Sequence, residues 1–201
     1  VPGVIYVCIL VALVMLGNNL FYTYIVPHLI GPAGIEPGAV AGILLIFGAA
    51  GAVGLALAGL LVDRFPRSII SVTVALVAIC AALLGLFPAE PWIMFPVIVV
   101  WGMAFGGVPA MIQTRLLQLA SPRMRDVGSA YLTTSFNIGI GGGALFGGIL
   151  LDQYGILSLP AIDAVILGIA VMFAIVGGEL LRRRDGRAAA LRDLQPTPPA
   201  P

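Results

Sequence analysis

Long apolar runs separated by short polar connectors take up almost the whole chain. The runs fall at 4–30, 39–62, 69–87, 92–120, 127–151 and 161–180. Each reaches the roughly 20 mostly apolar residues that an α-helix needs to cross a bilayer. The pattern predicts an all-α membrane protein of six transmembrane helices joined by short loops. Composition points the same way: 60% of residues are hydrophobic and 9% charged, and mean hydropathy is +1.11. Those values lie far from an ordinary soluble domain.

The connectors alternate in charge. Gly31–Gly38 carries only Glu36, Pro88–Pro91 only Glu90, and Asp152–Pro160 only Asp152. The other set holds Arg64, Arg67, Arg123 and Arg125, with Arg115 just inside the fourth run. Residues 182–201 add Arg182, Arg183, Arg184, Arg187 and Arg192, then turn rich in Ala and Pro. That tail is expected to be cytoplasmic and disordered. Short loops rich in basic residues stay cytoplasmic, so both ends of this segment are expected in the cytoplasm. The absence of Lys hints at a GC-rich bacterial genome, and hence a bacterial inner membrane. Cys8 and Cys80 lie inside apolar runs and read as free thiols rather than a disulfide framework. The chain opens Val1-Pro2-Gly3 and enters a span at once. With no initiator Met and no basic leader, it is expected to begin partway along a longer protein.

The second and fifth runs align without gaps. Phe47 pairs with Phe136, Gly54 with Gly143, Gly59 with Gly148, Asp63 with Asp152 and Phe65 with Tyr154, each 89 residues apart. Asp63 ends its run on the arginine-bearing side and Asp152 ends its run on the opposite side. Helices one to three and four to six therefore read as a 3+3 inverted repeat.

The stretch Gly59-Leu60-Leu61-Val62-Asp63-Arg64-Phe65-Pro66-Arg67 resembles the loop signature of the major facilitator superfamily, Gly-x-Leu-Ala-Asp-Arg-x-Gly-Arg-Arg. Pro66 stands where Gly is usual and Ser68 replaces the final basic residue, which fits the weaker second copy of that signature. An Asp at a helix C-terminus opposes the helix dipole and needs a nearby cation, and Arg64 and Arg67 can supply one. A plain positive-inside anchor is the other reading of the same charges. Tyr22-Thr23-Tyr24-Ile25-Val26-Pro27 and Phe136-Asn137-Ile138-Gly139 are similar to the bacterial branch of arabinose-efflux-like permeases and drug:proton antiporters. The resemblance covers residues 5–180 and implies the C-terminal six-helix half of a twelve-helix transporter. It also implies that the first and fourth helices line a central cavity, the second and fifth meet the other half, and the third and sixth face lipid.

On that basis Asn18, Asn19, Tyr22, Trp101, Phe105 and Asn137 are candidates for the substrate cavity. Buried amides in a membrane need partners, so interhelical hydrogen bonding is the alternative role for the asparagines. Gly106, Gly107 and Pro109 fall in mid-span, where Pro removes a backbone bond and Gly permits bending, and are expected to form a hinge. Gly139, Gly143 and Gly147 recur every four residues, the spacing of a close helix-packing face, expected to rock against the other half. Arg115 is expected to snorkel to the interface.

Titratable groups are scarce. Asp163 reads as an acid in the first turns of the sixth helix, and His28 as exposed at the outer end of the first. A lone His rules out a His-rich metal site, and no nucleophile–base pair, Walker sequence or cofactor motif is present, so neither enzyme chemistry nor a metal or cofactor is expected. Nucleic-acid binding has no support. The expected function is secondary active efflux of small organic solutes such as sugars or drugs, by alternating access. The expected partners are the bilayer, an N-terminal six-helix half, a small-molecule substrate and, for an antiporter, protons. The alternatives are a non-transporting scaffold or split-gene remnant, and a half-size carrier that homodimerises.

Overall fold

The structure is a computed structural model that describes residues 2–65 and 68–193. No strand occurs among the described residues. Among the described residues six helical spans are long and apolar enough to cross a membrane. In a medium without water each backbone N–H and C=O must be satisfied within its own segment, and the α-helix does this. The first span is α1 (Pro2–Tyr22) followed by α2 (Ile25–Ile30), the second α3 (Pro37–Arg64) and the third α4 (Ile69–Leu86). The fourth is α5 (Pro91–Gly106) with α6 (Val108–Leu119), the fifth α7 (Arg125–Tyr154) after a 3-10 turn at Pro122–Met124, and the sixth α8 (Ser158–Asp193).

Proline and glycine set most boundaries. Pro37 and Pro91 open α3 and α5, where a missing N–H costs nothing. Gly155, at φ +78°, closes α7 in a conformation that other residues rarely adopt. The run at 4–30, expected to be one helix, is two. Pro27 has no N–H for the carbonyl of Thr23 and its ring crowds that carbonyl, while Thr23 Oγ1 donates to the Asn19 carbonyl at 2.7 Å. The fourth span breaks at Gly107, where the sequence places it, because Pro109 likewise deprives Phe105 of its helical partner. At the far end α8 stays helical to Asp193, so the basic tail begins as a continuation of the sixth span.

The six spans pack as two interlocked triplets. α1 lies against α7 and α8, while α5 lies against α3 and α4, and α4 packs on α8. The first helix of each triplet thus docks on the second and third helices of the other, as an inverted repeat requires. Gly54 and Gly143, equivalent in the repeat, occupy equivalent contacts. A Cβ on Gly54 would collide with the Met103 backbone of α5, and one on Gly143 with the backbones of Leu16 and Leu20 of α1. The core between the triplets holds Leu10, Met15, Phe21, Met94, Trp101 and Ile112. Burial is uneven: 56% of the α1 span is buried, against 22% of α3 and 17% of α7. The second and fifth spans therefore carry the largest uncovered faces.

Candidate functional site

α1 and α5 bring three of the predicted cavity residues together. Trp101 Nε1 donates to Asn18 Oδ1 at 2.9 Å, and both residues are buried. The Trp101 ring stacks on Phe21 at 5.5 Å between centroids and meets Tyr22 and Phe47 edge-on at 5.8 and 5.2 Å. Tyr22 in turn stacks on Phe47 at 5.1 Å. This aromatic layer joins α1, α3 and α5. Asn18 and Trp101 thus satisfy each other inside the bundle rather than facing an open cavity, a correction to the sequence expectation. The reason is that a buried carboxamide and indole N–H are each costly alone and nearly neutral as a pair.

Tyr22 and the other three candidates stay accessible. Tyr22 and Phe105 are half-buried. Half-buried Asn19 gives Nδ2 to the Met15 carbonyl at 2.9 Å, and exposed Asn137 gives its own to the Thr133 carbonyl at 3.0 Å. In each case the side-chain oxygen is left for an outside donor. Asn137 lies on α7 away from the aromatic layer, on a face it shares with Ser129 and Thr133 at four-residue spacing. Gln113 Nε2 of α6 donates to Ser129 Oγ at 3.3 Å and ties the lower half of the broken span to that polar stripe. Sequence reading missed the stripe because Ser and Thr at helical spacing also bond their own helix, as Thr133 Oγ1 does to the Ser129 carbonyl at 3.0 Å. A separate groove of about 450 Å³ between α1 and α7 is lined by Ile5, Cys8, Ala12, Tyr131 and Ser135, and includes none of the six candidates.

Two titratable residues are buried, one of them, His28, against the sequence expectation. His28 is fully buried, with its ring edge-on to Phe21 at 5.0 Å. The break after Tyr22 turns α2 back over the aromatic layer, so a residue expected at the interface points inward. Asp163 is also fully buried. α8 starts at Ser158, which puts Asp163 in its second turn, four residues before Leu167, whose side chain lies against Gly17 of α1. One turn further along this antiparallel pair, Asp163 is level with Phe21. Neither His28 nor Asp163 has a hydrogen-bond partner among the described residues.

The glycines also differ in role. Gly139, Gly143 and Gly147 pack closely, but against α1 of this same bundle: added Cβ atoms would strike Met15, the Leu16 backbone, and Leu20 with Tyr24. That face is occupied by α1 rather than left open for another half. Tyr24 locks the contact by donating to the Ala144 carbonyl at 2.7 Å. Gly106 and Gly107 sit at the break and are also contact points, against Gly51 and Ala58 of α3. In the loop motif, Asp63 and Arg64 end α3, Arg64 lies 5.9 Å from the Phe65 ring, and Gly59 has open space beside it. Arg67 lies outside the described residues.

The family model of the Major Facilitator Superfamily matches residues 7–200. The chain belongs to this superfamily. A "probable sugar efflux transporter" of Helicobacter pylori is 35% identical over 172 residues, 86% of this chain and 44% of that protein. One of the same description from Mannheimia succiniciproducens is 29% identical over 175 residues, covering 87% and 44%. The chain thus spans about half the length of the curated relatives it matches. A crystal structure of the POT family transporter PepTSo superposes with a TM-score of 0.79 at 17% identity, covering 88% of this chain and 37% of that one. The superfamily fold, six apolar spans and the inverted repeat together make this a multi-pass membrane protein.

Proposed function

We propose that this chain is the C-terminal half of a secondary active transporter that exports small organic solutes, sugars foremost, by alternating access. The observation that carries the reading is the match, over 44% of their length, to relatives described as probable sugar efflux transporters. The polar groups left open on the bundle suit such a cargo. Asn19, Thr133 and Asn137 offer carbonyl and hydroxyl groups of the kind that exchange hydrogen bonds with sugar hydroxyls. The break in the fourth span at Gly107 supports the reading, since interrupted helices recur at the binding sites of transporters. The uncovered faces of α3 and α7 are the surfaces on which an N-terminal six-helix half would close the cavity. By the arginine distribution, both ends of this segment face the cytoplasm of a bacterial inner membrane. The packed aromatic layer lies within the bundle rather than at its open face, so it does not favour a non-transporting scaffold.

The test is uptake of radiolabelled arabinose into inverted membrane vesicles carrying wild type, Asn19→Ala or Asn137→Ala. Loss of one neutral hydrogen bond to substrate weakens binding by about threefold to tenfold. Each variant is expected to raise KM by that factor with unchanged membrane abundance. Wild-type KM and turnover in both variants would remove these residues from the site. Absence of sugar uptake in every form would remove the substrate class.

A further inference from the structure

A crevice of about 640 Å³ opens at the arginine-bearing end between α4, α6 and α8. Its polar wall comes from all three elements. Ser68, which precedes α4 and makes no capping bond, and Ser71 in the first turn present hydroxyls beside the positive end of that helix dipole. Arg115 reaches in from α6, and its one side-chain partner among the described residues is Gln118 Oε1, at a marginal 3.5 Å. Arg182 enters from α8; it pairs with Glu179 at 2.8 Å but remains 66% exposed. Glu179, the one carboxylate among the described residues that line the crevice, is shared with Arg183 at 2.9 Å and so serves two cations on α8. The crevice therefore has an excess of hydrogen-bond donors and of positive charge.

Its mouth is apolar. Val72 and Ile175 stand on either side, each 58% exposed. From there Leu76 and Ile79 continue up α4, and Met172 and Ile169 up α8, all with exposed side chains. Because α4 and α8 pack together, these rows flank one seam that runs about 10 Å from the crevice into the apolar span. A free anion would use the donors and leave that seam unexplained. A lipid uses both.

We propose that this crevice binds the phosphodiester headgroup of an anionic phospholipid, with an acyl chain laid along the α4–α8 seam. Arg115 and Arg182 are the headgroup donors, the two serines complete the shell, and Val72 and Ile175 hold the chain. Basic pockets between helix ends recognise anionic headgroups in this way. None of the residues lining the crevice is among the candidate substrate residues, and its assignment does not depend on what the protein transports.

The test is native mass spectrometry of the purified protein titrated with phosphatidylglycerol or phosphatidylcholine. Wild type is expected to retain phosphatidylglycerol in preference to phosphatidylcholine. The double variant Arg115→Gln/Arg182→Gln is expected to lose that retention by about thirtyfold. Arg123→Gln, at the same end but outside the crevice, is expected to leave it unchanged. Ile175→Trp fills the mouth without altering charge and is expected to lower retention too; it carries the test alone if the double variant does not fold. Equal retention of the two lipids, undiminished retention in Ile175→Trp, or equal loss in Arg123→Gln would overturn the proposal. Displacement of phosphatidylglycerol by millimolar inorganic phosphate would also overturn it, and assign the crevice to a free anion.

Discussion

At the scale of single residues, polar groups in this bundle fall into pairs that are satisfied and groups that are not. Asn18 and Trp101 satisfy each other across α1 and α5, and Tyr6 and Tyr24 each donate to a backbone carbonyl of a neighbouring helix. Asp163 has neither oxygen bonded among the described residues, and burying such a group costs free energy that nothing nearby returns. Replacing a buried ionisable group by an apolar one of similar volume often stabilises a fold by about 1 kcal/mol or more. Asp163→Leu is therefore expected to raise the midpoint of thermal unfolding, by about 2–4 °C for a chain of this size. A fall of several degrees would show that the carboxyl makes an essential bond. A rise accompanied by lost transport would mark a residue kept for function rather than stability. The sequence placed Asp163 at a helix start because Ser158 and Pro160 precede it. Which side of α8 turns inward depends on the Gly17 contact with α1, and no local pattern encodes that.

At the scale of helices, glycine decides which pairs approach. Gly54 and Gly143 are repeat equivalents, and each faces the backbone of the first helix of the opposite triplet. Gly59 and Gly141 lie on the same two helices, and a methyl group added at either would meet nothing within 4 Å. One substitution should thus have opposite signs. Gly→Ala at the two open sites stabilises a helix by about 0.5–1 kcal/mol. At Gly54 and Gly143 the added methyl must push backbones apart, at a cost of about 1–3 kcal/mol. Thermal midpoints of the four single variants measure this, and equal midpoints would refute the close contacts. The six spans and the break at Gly107 were legible because length, apolar content and proline act locally. The repeat was legible because it preserves spacing. What each glycine touches was not: Gly139, Gly143 and Gly147 show the period of a packing face, and that period is the same whether the partner is α1 or another bundle. The first span's division was readable in principle, since Pro27 is in the sequence, but a continuous apolar run outweighed it.

At the scale of the whole molecule, the bundle leaves two of its six spans largely uncovered, and they are the repeat-related α3 and α7. Leu45, Val53 and Leu60 on α3, and Ile138, Leu145 and Phe146 on α7, are exposed apolar residues. Lipid and a second bundle could each cover such faces, and an inserted side chain tells them apart. Gly48 on α3, Gly141 on α7 and Gly168 on α8 all have open space around a would-be Cβ. A side chain at any of the three leaves the backbone without striking this half, and Trp is a better helix former than Gly. Lipid chains yield to an added ring, whereas a packed protein face does not. Gly48→Trp and Gly141→Trp are therefore expected to abolish transport while the protein still elutes as a monodisperse peak. Gly168→Trp, on a helix expected to face lipid, is expected to keep wild-type transport. Equal tolerance at all three sites would mean that α3 and α7 face lipid, and the reading of this chain as one half of a larger carrier would fail with it.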